Sequence, residues 1–379
     1  MSRETNAYLT EGNRIVVKIG SALLVDSKTG AIHREWLRAL AEDIAACRAR
    51  GQDVILVSSG AIAAGRRHLG MAERELKLEE KQAAAATGMI RLAHRYQEYL
   101  AEHDVTVAQI LLTLDDSENR RRYINARNTL DTLLGLGAVP LINENDTIAT
   151  DEIRFGDNDR LAARVAAMAS ADVLVLLSDI DGLYTADPTR NTDARHLPEV
   201  REITPEIEAM AGESRPGFGV GGMFTKLAAA KVCLNVGCRM VLTDGAEPHP
   251  LKRIEDGALC TWFLPDDNPR TARKNWIAGT LKSMGEITLD DGALKAVRNG
   301  RSILPAGVTE VSGKFERGDA VIVRSLRGRE VARGLIAYST ADAKKIMGHK
   351  SREIENLLGY RGRDEMIHRD DLVLDRGKE

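Results

Sequence analysis

Hydrophobic positions fall into short unbroken runs separated by stretches of helical period. Arg14 to Gly20, Asp53 to Val57, Val105 to Leu112, Ala138 to Ile142, Asp172 to Leu177, Cys238 to Leu242 and Leu259 to Phe263 predict strands. Several are apolar throughout rather than alternating, the mark of a sheet covered on both faces. Between them, Arg34 to Arg50 carries Leu37, Leu40, Ile44 and Cys47 on one helical face, and Gly51 ends it. Ile62 to His68, Leu76 to Glu102, Asp115 to Leu136, Arg160 to Ser170 and the stretch running to Val236 also read as helices. Ala83 to Ala86 would let the second of these pack closely, with Gly88 a weak point in it. Strands alternating with helices predict a mostly parallel sheet in a three-layer αβα sandwich.

Past a proline- and charge-bearing connector the pattern changes. From Gly285 the predicted strands are short: Glu286 to Leu289, Ser302 to Leu304, Ala320 to Arg324 and Glu330 to Leu335. Asp291-Gly, Asn299-Gly, Ser312-Gly and Arg317-Gly-Asp read as turns, and a helical tail, Ala341 to Leu357, closes a small β-rich barrel. The expected division is residues 1–264, a linker over 265–284 and a second domain over 285–379, which suits a chain of 379 residues.

Composition narrows the class. With 43% hydrophobic and 29% charged residues the chain reads as soluble and globular, and at 4% aromatics its core is aliphatic and alanine-rich. The net charge of −3 gives no general attraction to nucleic acid or anionic lipid. Cys47, Cys233, Cys238 and Cys260 form no Cys-x-x-Cys pair and have no histidine cluster nearby. A zinc site and a disulfide framework are therefore disfavoured, and a reducing cytoplasm fits. Met1 to Asn13 lacks the apolar core of a secretory signal, and no apolar run is long enough to span a bilayer.

The candidate chemistry lies at strand ends. Leu141 to Arg164 places Asn143, Glu144, Asn145 and Asp146 after one strand, then Gly156, Asp157, Asn158 and Asp159 before a helix. Folding does not need two such acid-amide clusters, and the strand ends of α/β sheets are where ligands bind. Lys18 sits inside an apolar strand, which is unfavourable unless its ammonium emerges at a site. Ser58-Ser-Gly-Ala61 joins a strand to a helix, an arrangement that offers free backbone N–H groups to an anion. Gly217, Gly219 and Gly222 match Gly-x-Gly-x-x-Gly, but the loop follows a polar segment rather than a strand, so the dinucleotide reading is set aside. Walker A and protein-kinase signatures are absent. What remains is a glycine loop opening a helix, with Thr225 and Lys226 in its first turn, which suits phosphate oxygens.

Taken in order, Val16-Val-Lys18-Ile-Gly-Ser21, Ser58-Ser-Gly-Ala-Ile-Ala-Ala-Gly65, Ile142-Asn-Glu-Asn-Asp146, Gly156-Asp-Asn-Asp159, Ser178-Asp179 with Gly182-Leu-Tyr-Thr-Ala-Asp-Pro188, and Gly221-Gly-Met-x-Thr-Lys226 resemble the amino-acid kinase superfamily, and within it the glutamate-phosphorylating branch. Gly285 to Ala293 and Gly313-x-Phe-x-x-Gly-Asp319 resemble a PUA domain. The resemblance implies transfer of the γ-phosphoryl group of ATP to the side-chain carboxylate of L-glutamate, as the first step of proline biosynthesis. Mg²⁺, feedback inhibition by proline and a homo-oligomeric assembly are implied with it. Lys18 and Lys226 would stabilise the transferring group and Asp159 would hold them. Ser59, Gly60, Asn143, Asp146 and Asn158 would bind glutamate. Lys18, Ser178, Asp179, Val220, Gly221, Gly222, Met223, Phe224, Thr225 and Lys226 would bind ATP, and no dedicated metal ligand is assigned. Val220 stands where the family often has Thr, and Arg154 where lysine is frequent.

The residues agree on mechanism. A side-chain carboxylate, of ordinary pKa about 4.3, is already ionised at neutral pH, so no general base is needed. Catalysis must come from in-line positioning and charge neutralisation. Two rivals stand beside this reading. One is a kinase of another small acceptor on the same scaffold: aspartate, N-acetylglutamate, carbamate or a nucleotide. The other is an RNA-binding or RNA-modifying protein, since PUA modules commonly bind RNA. Residues 286–379 hold 18 Lys and Arg against 16 Asp and Glu, too even a mixture for a strong phosphate-binding surface.

Overall fold

A computed structural model describes residues 7–26, 28–71, 74–148, 158–210, 222–266, 268–269, 271–272 and 283–374. The chain forms two compact units, residues 1–269 and 270–379.

The first unit is built on an eight-stranded sheet. Its strands are β1 (Arg14–Ile19), β2 (Asp53–Ser58), β3 (Val107–Leu112), β4 (Val139–Glu144), β5 (Val173–Ser178), β8 (Glu199–Val200), β9 (Arg239–Asp244) and β10 (Cys260–Phe263). Their order across the sheet is β3-β4-β2-β1-β5-β9-β10-β8, antiparallel only where β9 meets β10. A separate two-stranded ribbon pairs β6 (Leu183–Tyr184) with β7 (His196–Leu197).

Strand periodicity divides the core into two. Ile15, Val17, Ile19, Val54 and Leu56 face one layer, with α3 (Arg34–Ala49), α4 (Ala61–His68) and α5 (Leu78–Ala101). Val16, Ile55, Val57, Leu174 and Leu176 face the other, with α7 (Arg120–Gly135), α8 (Asn158–Ala169) and α10 (Met223–Asn235). Alternate residues of a strand point to opposite faces, so Lys18 falls on the side of α8 and α10. The expected αβα sandwich is the observed architecture.

Three local expectations are corrected. The helix expected over Asp115 to Leu136 is two, α6 (Leu114–Glu118) and α7. Thr113 and Asp116 cap each other at the first, and Asn119 accepts from the Arg122 N–H at 3.2 Å to start the second. The strand expected to end at Ile142 runs on through Asn143 and Glu144, both buried. Gly88 is not a weak point. A Cβ there would fall 1.8 Å from the Ala61 carbonyl oxygen, and one at Gly65 1.8 Å from that of Ala84. The two glycines let α4 and α5 cross backbone against backbone.

Sequence reading also passed over α9 (Pro205–Met210).

In the second unit a five-stranded sheet runs β12-β11-β13-β14-β15: β11 (Gly285–Leu289), β12 (Val308–Gly313), β13 (Ala320–Ser325), β14 (Glu330–Leu335) and β15 (Leu372–Leu374). Its core gathers Ile287, Leu289, Phe315, Val321, Val323, Tyr338 and Ile367. Asp291-Gly292 is not a turn. Asp290 accepts from the Ala293 N–H at 2.7 Å and opens helix α12 (Asp291–Arg298). Ser302 to Leu304 forms only an isolated bridge, Ile303 to Ile367, while β12 and β15 lay outside the expected strands. The expected tail is α13 (Thr340–Ile346) and α14 (Ile354–Leu358).

Candidate active site

Because neighbouring strands from β3 to β9 are parallel, their C-terminal ends share one edge of the sheet. Lys18 lies one residue before the end of β1, the strand between β2 and β5. Ser58 ends β2 and Asn143 lies one residue before the end of β4 on one side, and Ser178 and Asp244 end the strands on the other.

At the centre is a buried triad. Asp159, in the first turn of α8, places Oδ1 2.5 Å from Lys18 Nζ and Oδ2 3.1 Å from Lys226 Nζ. The Thr225 hydroxyl donates to the same Oδ2 at 3.1 Å. Lys18, Asp159 and Lys226 are 9%, 2% and 6% exposed. Burial works against the ionised carboxylate, but the two ammonium groups outweigh it and hold Asp159 below the usual carboxylate range. The start of a helix adds a favourable field. One carboxylate between two ammonium groups leaves the triad with a charge of +1. A cation this well shielded from water attracts an anion strongly, and the lysines are held apart while they wait for one.

On the β2–β4 side, Asn143 Nδ2 donates to the Ser58 carbonyl at 2.9 Å. Asn158 Nδ2 donates to the same carbonyl at 3.1 Å and to Ser59 Oγ at 2.9 Å. One backbone carbonyl thus joins both acid-amide clusters to the serine-glycine turn. Sequence reading missed Ser58 in this role because a main-chain acceptor has no side-chain signature. Beneath it the Ser58 hydroxyl donates to the phenol of Tyr96 at 3.3 Å, and burial raises that phenol's pKa. Gly60 caps α4 at φ 85°, a left-handed conformation, with no side-chain cap on the helix. Asp146 follows β4 half-buried, and among the described residues none donates to its carboxyl. Burial pushes its pKa up to about 6.

On the β5–β9 side, Ser178 Oγ donates to Asp179 Oδ1 at 3.0 Å, and Asp179 itself is exposed. Gly222 precedes α10 without a side-chain cap, and the Thr225 N–H turns back to the Gly222 carbonyl at 3.2 Å, which leaves the first two N–H groups of the helix without an intrahelical partner. Met223 packs on the core, and Phe224 is 59% exposed in that turn. Val220 and Gly221, like Arg154, Gly156 and Asp157, lie outside the described residues. Among the described residues no group of three His, Cys, Asp or Glu side chains gathers to cage a metal.

A positively charged triad thus lies at the strand edge of an αβα sandwich, with polar side chains on both sides of it. The profile of the amino acid kinase family matches residues 13–244 and that of the PUA domain residues 285–358, and the chain belongs to the amino acid kinase family. Among curated proteins it is 66% identical over 367 residues to glutamate 5-kinase of Paramagnetospirillum magneticum, covering 97% of this chain and 99% of that protein. It is 59% identical over 360 residues to glutamate 5-kinase of Rhodospirillum rubrum, covering 95% and 96%. Among solved structures it resembles UMP kinase from Bacillus anthracis, with 16% identity, a TM-score of 0.47, and coverage of 67% of this chain and 97% of that one.

Proposed function

We propose that this chain transfers the γ-phosphoryl group of ATP to the side-chain carboxylate of L-glutamate, forming L-glutamyl 5-phosphate for proline biosynthesis. The observation that carries this reading is the Lys18–Asp159–Lys226 triad in a chain 66% identical, over nearly its whole length, to a glutamate 5-kinase.

Strand order supports an assignment of the two substrates. Glutamate lies over β2 and β4, with Ser59, Gly60, Asn143, Asp146 and Asn158, and its ammonium takes Asp146. ATP lies over β5 and β9, with Ser178, Asp179 and the start of α10. The phosphoryl group crosses above β1, where Lys18 and Lys226 meet the charge spreading onto its oxygens. Asp159 keeps the two ammonium groups aimed and separated. The acceptor is ionised already, so no proton has to move first.

The donor set suits Mg²⁺ arriving on the nucleotide. A small hard cation keeps several waters and needs one or two carboxylates besides phosphate oxygens. Bound there, it would neutralise charge on the β- and γ-phosphates. Feedback by proline, a homo-oligomeric assembly and a cytoplasmic setting belong to the same proposal. Among the described residues no helix is long and apolar enough to cross a membrane.

The test is ADP release from the purified chain with Mg-ATP and L-glutamate, aspartate, N-acetylglutamate or no acceptor. Hydroxylamine traps any acyl phosphate, and proline is added in parallel. Glutamate-dependent hydroxamate, suppressed by proline, is expected. Turnover with another acceptor and none with glutamate would overturn the substrate assignment while sparing the kinase reading.

A further inference from the structure

One buried hydroxyl is used more fully than folding asks. Thr261, in β10, is 0% exposed. Its Oγ1 donates to the Leu197 carbonyl at 2.7 Å and accepts from the Leu183 N–H at 2.8 Å. His196 Nε2 lies 3.3 Å away. The hydroxyl's only proton is spent on Leu197, so the imidazole can join this group only as an Nε2–H donor. One side chain therefore fastens β6 and β7 to the large sheet at both of their backbones.

What it fastens is the far end of the segment that begins at Ser178. At the near end the Ser178 carbonyl accepts from the Gly245 N–H at 2.9 Å, and the Gly245 carbonyl accepts from Trp36 Nε1 at 2.7 Å. At the far end the Leu183 N–H is held by Thr261. Asp179 to Gly182 bridges the two clamps. Its fit is close: a Cβ on Gly182, at φ 155°, would lie 2.4 Å from His196 Nε2 and 2.7 Å from Thr261 Oγ1. The Tyr184 hydroxyl then donates to Asp181 Oδ2 at 3.1 Å, and its ring meets that of His196 edge-on at 5.2 Å. Burial lowers the His196 pKa, against the pull of Asp181, which favours the neutral ring that such packing needs.

We infer that Thr261, with His196 beside it, is a positioning residue for nucleotide binding: it fixes the Ser178–Tyr184 segment from behind and so sets affinity for ATP without touching it. This rests on the assignment of ATP to the β5–β9 side. The glutamate pocket, across β1, shares no hydrogen bond with the lock among the described residues.

The experiment uses the full chain and two readouts. One is the affinity for a non-hydrolysable ATP analogue with no acceptor present, and the other is the pair of KM values in the glutamate reaction. Thr261→Val removes the hydroxyl at constant volume and strands the Leu183 N–H and Leu197 carbonyl; analogue affinity and KM for ATP should worsen about tenfold. KM for glutamate and kcat should stay within about twofold, since groups with no shared partner act nearly independently. Thr261→Ser should restore nucleotide affinity to within about threefold, because it returns the hydroxyl and lacks only a methyl. His196→Phe keeps the ring contact and removes the N–H. It should cost about threefold in analogue affinity, and it carries the test if Thr261→Val does not fold. The inference is overturned if folded Thr261→Val binds the analogue as wild type does, if both KM values rise together, or if His196→Phe leaves analogue affinity unchanged. A wild-type chain that binds the analogue but does not phosphorylate glutamate would sink the acceptor assignment alone. The lock would then stand or fall on nucleotide affinity.

Discussion

Asp159 is a carboxylate with work on both of its oxygens, and its removal should be felt in rate before affinity. Asp159→Asn leaves two buried ammonium groups facing each other with one weak acceptor between them. kcat should fall by about 10²–10³-fold, as when one preorganised electrostatic contact to a transition state is lost. Steady-state kinetics at saturating ATP and glutamate would show it, and a kcat within twofold of wild type would refute the role. Lys226→Arg should not rescue Lys226→Ala, because a planar guanidinium cannot share Asp159 Oδ2 with the Thr225 hydroxyl in the space of an ammonium. Asp146 supplies the pH dependence. Burial pushes its carboxyl pKa up to about 6. The ionised form is the one that can accept an ammonium, so glutamate kcat/KM should be level above pH about 7 and fall below about 6, near tenfold per unit. Asp146→Asn should lower kcat/KM throughout and abolish that acid limb. A limb that persists in the variant would assign it to another group.

At the scale of elements, the crossing of α4 on α5 carries a stability prediction. Gly65 and Gly88 lie at a point where each helix meets the other's carbonyl oxygens, and a methyl group at either position has nowhere to go. Gly88→Ala would improve helix propensity by about 1 kcal/mol in isolation, yet the overpacked contact should cost about 3 kcal/mol and lower the denaturation midpoint. Chemical denaturation of the two proteins compares them directly, and a stabilised variant would show that the helices can part. Because Gly60 caps α4, any parting would also disturb the Ser59–Asn158 contact, so KM for glutamate should rise with the loss of stability. The same crossing shows how far propensity misleads. Gly88 reads as a flaw in an alanine-rich helix, and its reason lies in another helix. Asp290 makes the converse case: Asp290-Asp-Gly292 has the composition of a turn, and it is the start of a helix whose apolar positions were too few to show.

For the whole molecule, strand order is the decisive fact. Three strands distant in the chain, ending at Ser58, Ile19 and Ser178, are brought to adjacent positions of one edge, and the proposed row of acceptor, reaction centre and nucleotide rests on that order. The second unit folds around its own core, and its charge is nearly balanced, with 18 Lys and Arg against 16 Asp and Glu over residues 286–379. The full chain should therefore show no salt-sensitive retention of RNA at about 0.15 M salt, where screening reaches about 8 Å. Mobility shift with a structured and an unstructured RNA would test this. Binding that weakens steeply as salt rises would give the PUA domain an RNA partner.

The sequence by itself determined most strands of the large sheet and the candidate residue types at their ends, because burial of continuous apolar runs and the chemistry of Lys18, Asp159 and Lys226 are local properties. It also marked the glycine turn at Gly60 and the acid-amide clusters, since such residues have few other reasons to stand at strand ends. It left open which groups meet. That Asn143 and Asn158 converge on one carbonyl, that Gly65 answers Gly88, and that Thr261 closes on Leu183 are contacts between segments 23 to 100 residues apart. Only the order of strands and the crossing of helices decide such contacts, and a main-chain oxygen or a missing Cβ leaves no mark in composition or period. The tertiary structure turned a set of suitable residues into a site with two sides and a centre.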